Sequence, residues 1–494
     1  MMFSTLNYTV LGVYLAGMVI TGLWFARSQR TTEDYFLAGR RMPWLPVAMS
    51  MYASLTSAVT YMGLPGLAYR SNVTLIVVAL VSPLLAPVLI TLFYPFYRRL
   101  HVTTSYEYIG LRFSPLARRL VSALFLLARM GWLGTVIYAP AMALSVVTGM
   151  PMVAAILVMG LFATLYTTLG GLSAVLWTDL AQFVILIGGA VWVAAILATG
   201  TPGGIGGTIL AAHAQRPISL DWRLDLYQMT ALAAGISFFL KMMQDYGTDQ
   251  VTVQRLLAVR TERGLRRVIW FNACTDTVII AVLLFIGLGL LVFYAQNPEL
   301  VPEGLPGDRI FPYFIIHQLP DGVSGLLIAA IFAAAMSSLD SGLNSAGTVL
   351  VHDWIRPLRR HAATEAQDVR LARLLTVVLG VAATGIAFYV ATMQGIIEAF
   401  ATFMSLFNAP VLVLFLGGML TTRLRLPAWC AGTVLAVLAT AWVQHGTRVN
   451  WVWYFPFAFA VCSGTAVLIS LLLPRPAADE RVRQYTIWGQ PPHA

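Results

Sequence analysis

Apolar residues run through this chain in long blocks parted by short polar breaks. The blocks are far too long for strands and match the roughly 20 residues a helix needs to cross a lipid bilayer. Thirteen qualify: 7–26, 43–69, 72–97, 120–146, 151–169, 174–199, 225–250, 269–295, 321–348, 371–390, 395–420, 427–443 and 451–473. The pattern predicts an all-α polytopic membrane protein of 13 transmembrane helices. Residues 1–474 are expected to form one transmembrane domain, and 475–494 a short, Pro-rich, poorly ordered cytoplasmic tail.

Three blocks carry polar groups where hydrocarbon is expected. In the ninth, Ser337, Asp340, Ser341 and Asn344 fall at i, i+3, i+4 and i+7, which lines their oxygens along one helix face, with Ser338 and Ser345 beside them. A carboxylate at bilayer depth costs on the order of 2.5–3.5 kcal/mol and needs a partner. A small hard cation held by carboxylate, hydroxyl and carbonyl oxygens is one such partner; close packing of helices through small residues is the alternative reading of the serines. The second block reads ASLTSAVTYMGLPG over 53–66, where Ser54, Thr56, Ser57 and Thr60 interrupt the apolar run and Gly63, Pro65 and Gly66 weaken the helix beyond. Unwinding there would free backbone carbonyls, which membrane interiors tolerate only beside protein or a water-filled cavity. The seventh block is comparably weak, holding Gly235, Ser237, Lys241, Gln244, Asp245 and Gly247. Two interrupted helices five apart predict two inverted five-helix repeats, about 43–199 and 225–420, with one extra helix before them and two after.

Composition and charge sharpen this picture. Of 494 residues 59% are hydrophobic and 11% charged, against about one quarter charged in a soluble domain. The formal charge of +10 does not mark a nucleic-acid surface, because the arginines sort by loop: 24 fall in one alternating set, from Arg27 to Arg483, and five in the other, namely Arg70, Arg216, Arg223, Arg309 and Arg448. That split predicts an outside N-terminus and a cytoplasmic C-terminus, as in a bacterial inner or plasma membrane. Arg129 and Lys241, the sole lysine, lie within predicted spans. Each reads either as an attractor for an anionic solute or as half of a salt bridge, Arg129 with Asp245 or Asp179. Asp179, a few residues inside the sixth block after a predicted tight turn at Gly170–Gly171, either pairs with an arginine or shares a cation with the ninth block. Cys274, Cys430 and Cys462 are far apart in apolar runs and predict neither disulfide nor metal site. No Walker-type loop, nucleophile triad or CxxC pair is present, which argues against an enzyme. The short tail leaves no room for a kinase, which argues against a sensor. The outward loops at 200–224 and 297–320 are long enough for short lid helices.

AAAMSSLDSGLNS (333–345), GGLSAVLWTDLAQ (170–182), YAPAMALSVVTG (138–149), YGTDQVTVQR (246–255) and DYFLAGRRMPWLPVAMS (34–50) together resemble the sodium:solute symporter family. The resemblance implies the leucine-transporter-type inverted repeat and sodium-coupled transport by alternating access. It implies a main sodium site from the carbonyls of Ala53, Thr56 and Ala334 with the hydroxyls of Ser337 and Ser338. It also implies a second site from Asp179, Ser337, Asp340 and Ser341, in which Asp340 replaces a hydroxyl residue of several members. Solute would lie near Ser57 and Thr60, with Arg129, Trp132, Phe238, Lys241 and Gln244 opposite. The chain resembles both the sialic acid and the monocarboxylate and vitamin branches, but Ala79 and Trp132 stand where polar contacts of sialic acid transporters are expected. A small carboxylate is therefore the first expectation, carried with two sodium ions by a unit for which a monomer suffices. A sodium-independent or proton-coupled facilitator, and a sugar, amino-acid or sialic acid symporter, remain the alternatives.

Overall fold

The computed structural model describes residues 4–26, 42–100, 102, 104–358, 364–393, 396–473 and 480–489. It is all-helical, and every expected apolar block is helical in it. Among the described residues nine helices are long and apolar enough to cross a membrane. The second and seventh blocks fall outside that set because each is split into shorter pieces.

The second block is two helices, α2 (Trp44–Leu55) and α3 (Ala58–Arg70), joined through Thr56 and Ser57 in extended or irregular backbone. The last bond of α2 runs from Thr56 N–H to the Tyr52 carbonyl (2.9 Å), so the carbonyls from Ala53 onward lose their intrahelical donors. The break therefore falls earlier than Gly63–Gly66, which lies inside intact α3. There the glycines serve close approach: a Cβ on Gly66 would stand 2.8 Å from the Gly307 carbonyl oxygen, and one on Gly63 2.7 Å from Ile397.

The seventh block breaks too. Helix α9 (Ala231–Gly247) ends at Thr248, and α10 (Gln250–Ala258) restarts with Asp249 capping the Val251 N–H at 2.9 Å. The freed carbonyls of Tyr246 and Gly247 accept the Tyr94 and Tyr97 hydroxyls, each at 2.8 Å, from α4 (Thr74–Leu100). These breaks correspond in the two predicted repeats.

Three expectations need correction. Helical backbone continues through Gly170–Gly171, so the fifth and sixth blocks form one 48-residue element, α7 (Met152–Thr199). Glycine pairs let a helix bend without losing its hydrogen-bonded backbone. The element meets successive residues of α13 (Val323–Val349) at two levels: Thr167 bonds Asp340, and Asp179 shares Ser54 with Ser341. The tail is also less loose than expected over 480–489. Arg99 donates to the Thr486 and Gly489 carbonyls (2.9 Å each), and Ile487 N–H to Met419 (3.0 Å). Third, Arg255, counted among loop arginines, is 1% exposed inside the bundle. The two long loops do carry helices, α8 (Gly204–Gln215) and α12 (Gly307–Gln318), the latter against α3 through Arg70–Asp308 (3.1 Å) and the Tyr61–Phe311 ring contact.

Gly66→Val should lower the apparent melting temperature of purified protein by several degrees, because overpacking against backbone costs about 1–3 kcal/mol. An unchanged melting curve would show that α12 does not rest on α3 at this point.

Candidate functional site

The site begins where α13 meets the broken end of α2. Ser337 donates to the Ala53 carbonyl at 2.7 Å and lies 3.2 Å from that of Ala334, and Ser338 donates to the Ser54 carbonyl at 3.0 Å. Ala53, Ala334, Ser337 and Ser338 are fully buried, and Thr56 follows in the unwound link. Ser337 thus joins the carbonyls of Ala53 and Ala334, while Ser338 goes to Ser54, which the expected set did not include; uncharged hydroxyls and carbonyls of this kind suit a small hard cation. Any oxygen here that turned from its neighbour would need a replacement partner, since no water reaches it cheaply at this depth.

One turn further along α13 lies a charged cluster. Asp179 Oδ2 accepts from Ser50 (2.5 Å), Ser54 (3.2 Å) and Arg255 (3.2 Å). Arg255 also reaches Ser341 and donates to Ser50 at 3.0 Å, and Ser341 donates to the Ser337 carbonyl at 2.6 Å. Asp340 instead accepts from Thr167 at 2.5 Å. Asp179, Ser337 and Ser341 therefore join one network in which Asp179 has the arginine partner that was one of its two expected readings, while Asp340 bonds Thr167. Asp179 Oδ1 is buried and finds no hydrogen-bond donor among the described residues, so this carboxylate keeps a free ligand atom.

Beside these groups a cavity of about 150 Å³ opens between the two broken helices. Leu55, Thr56, Ser57 and Thr60 form one wall, Ser237, Phe238, Lys241, Asp245 and Tyr246 another, and Phe400, Trp451 and Asp276 complete it. Lys241 pairs with Asp245 one turn on and sits 4.7 Å over the Phe400 ring. The cavity draws on helix halves near the arginine-poor loops. Toward the arginine-rich end the chain is closed by the Tyr94 and Tyr97 bonds and by Arg112, which donates to the Gly418 (3.3 Å) and Thr421 (3.0 Å) carbonyls.

The sequence profile of the Sodium:solute symporter family matches residues 35–469. The chain belongs to this family. It is 31% identical over 457 residues to the sodium/sialic acid symporter SiaT of Proteus mirabilis, covering 92% of each chain. It is 32% identical to the human sodium/iodide cotransporter over 461 residues, 90% of this chain and 71% of that one. A solved substrate-bound, outward-open Na+-coupled sialic acid symporter superposes with a TM-score of 0.88 at 29% identity, over 96% of this chain and 99% of that one. Mhp1, a nucleobase-cation-symport-1 family transporter, shares the fold alone, at TM-score 0.54 and 14% identity over 91% and 98%. A sodium:solute symporter with the leucine-transporter-type fold is an integral membrane carrier.

Within this symporter the expected solute residues divide. Ser57, Thr60, Phe238 and Lys241 line the cavity. Arg129, Trp132 and Gln244 lie outside its lining: Arg129 pairs with Asp249, rather than Asp245 or Asp179, and stacks over Trp132 (4.4 Å) and Phe125 (5.1 Å). Trp132 packs against Gly342, where a Cβ would stand 2.7 Å from the ring, and Gln244 accepts from Asn408 at 3.0 Å. The sequence reading missed Ser50 and Ser54, Arg255, and Asp276 with its partners Ser82 and Tyr246. Asp276 was visible in principle as an acid within an apolar block, and Arg255 as the end of the YGTDQVTVQR motif.

Removing one member of the Arg255–Asp179 pair leaves a buried charge uncompensated, at a cost of about 3–5 kcal/mol. Arg255→Met should therefore cost far more melting temperature than the double change Arg255→Met with Asp179→Leu. Equal losses would mean the two side chains are not coupled.

Proposed function

We propose that this symporter imports a small organic solute bearing a carboxylate, coupled to two sodium ions, by alternating access. The observation that carries the reading is the stitch of Ser337 and Ser338 onto the Ala53 and Ser54 carbonyls, one residue from the Thr56–Ser57 link that lines the cavity. A cation taken up by those oxygens fixes α13 against the broken helix and shapes the wall the solute meets. The first ion is assigned to Ala53, Thr56, Ala334, Ser337 and Ser338. The second is assigned to Asp179, Ser337, Asp340 and Ser341, and is supported by the free buried Oδ1 of Asp179.

The carboxylate assignment is supported by Lys241, the one cationic side chain on the cavity lining among the described residues, and no longer by Arg129. Relatives named for sialic acid, monocarboxylates and iodide are consistent with an anionic cargo. The arginine distribution supports an outside N-terminus and a cytoplasmic C-terminus in a plasma or bacterial inner membrane.

Two sodium ions move one net charge inward with a monoanion and two with a zwitterion, and each charge is worth about 2.3 kcal/mol per 100 mV. In proteoliposomes, uptake should be electrogenic and should stop when choline replaces sodium at fixed pH. Ser337→Ala with Ser338→Ala should raise the half-saturating sodium concentration about tenfold or more. Uptake indifferent to sodium and driven by a pH gradient would overturn the reading.

A further inference from the structure

Asp276 sits within α11 (Glu262–Gln296), 8% exposed, on the cavity wall. Its Oδ2 accepts from Ser82 at 2.6 Å and from Tyr246 at 2.9 Å. Two hydroxyls on one oxygen hold the carboxylate in a fixed orientation and in the role of acceptor. Its Oδ1 receives no hydrogen bond, and no cationic side chain stands within ion-pair distance, among the described residues. Lys241 pairs with Asp245 and lies over the face of Phe400, and its ammonium, with three donors, can still meet a solute carboxylate. The wall thus carries one cation and two carboxylates.

A carboxylate buried this deeply is costly without a positive partner. Among the described residues Lys241 acts on Asp276 through space but forms its ion pair with Asp245, and a solute that was purely anionic would add a third negative charge to this wall. We propose that Asp276, oriented by Ser82 and Tyr246, binds a protonated amine of the solute. The cargo is then a zwitterion, its carboxylate toward Lys241 and its ammonium toward Asp276. A sodium ion fits Asp276 less well, because the residues that follow it along α11 on the wall, Ile279, Ile280 and Leu283, are hydrocarbon and add no oxygen to a coordination shell. The assignment rests on reading this cavity as the solute site.

The test uses the purified full chain in sodium buffer and in choline buffer. Propionate, butyrate and valerate are titrated against alanine, β-alanine, 4-aminobutyrate and 5-aminovalerate, with affinity read by calorimetry and stabilisation by melting temperature. At least one amino acid should bind in sodium about tenfold or more tightly than the deaminated acid of equal length. Asp276→Asn should erase that preference, with the melting curve of the variant in sodium reporting that it is folded. The comparison of the two series on the unmodified chain stands even if that variant does not fold. Deaminated acids that bind as tightly, or an Asp276→Asn variant that keeps the preference, would overturn the proposal. If sodium stabilises the protein and no amino acid binds, the amine subsite falls and the carrier reading stands. If sodium produces no stabilisation and no probe binds, both fall.

Discussion

Backbone carbonyls freed inside a membrane bundle must find donors, and this constraint organises the molecule. Each break in the second and seventh segments strands carbonyls where water cannot satisfy them, at several kcal/mol apiece. Four hydroxyls meet the demand: Ser337 and Ser338 at Ala53 and Ser54, and Tyr94 and Tyr97 at Tyr246 and Gly247. The break in each repeat is therefore held by a side chain from another helix rather than by its own chain. A helix held in that way can exchange one partner for another, whereas a continuous helix cannot. One of the two carbonyls that tie α2 to α13, that of Ala53, also belongs to the sodium site proposed above, so under that proposal binding and helix position share an atom.

Buried charge follows a second rule, that ions at depth are kept in pairs. Arg255 with Asp179, Arg129 with Asp249, and Lys241 with Asp245 all involve the broken seventh segment or the short helix after it. Every residue of α10 is buried although four of its nine positions, Gln250, Thr252, Gln254 and Arg255, are polar or charged. The seventh segment thus acts as an electrostatic hub that reaches α2, α6 (Pro115–Thr148) and α7 at once. Asp276 departs from the rule, and its position on the cavity wall is what gives that departure meaning.

The helical blocks, the two breaks and the serine face of α13 were legible because each is a departure from uniform hydrophobicity or a spacing along one helix. The far limit of the first break was not. Gly63, Pro65 and Gly66 weigh against helix by intrinsic propensity, yet packing against α12 and Ile397 keeps α3 intact and uses their lack of bulk instead. Arg129 and Arg255 were misread for a related reason. Counting arginines by loop treats them as surface markers, and placing one by depth does not say which acid lies beside it. Asp249 and Asp179 are 120 and 76 residues away from their partners, so only the fold brings those pairs together.

The cavity lies between the two breaks rather than beside one of them, and Tyr246 connects its wall to the closed end of the bundle. Its carbonyl accepts the Tyr94 hydroxyl that helps close the arginine-rich side, while its own hydroxyl donates to Asp276 in the cavity. A solute held by Asp276 therefore acts on the residue whose backbone carries part of the seal. On the opposite wall Thr56 and Ser57 are bonded through the chain to Ala53 and Ser54, the carbonyls gripped by α13. The cavity therefore borders both breaks, and each break can shift only if the hydroxyls that satisfy it shift too. Coupling in this arrangement needs no long relay: the wall that recognises the solute is made of the same backbone whose unpaired carbonyls the ion and the neighbouring hydroxyls compete to satisfy.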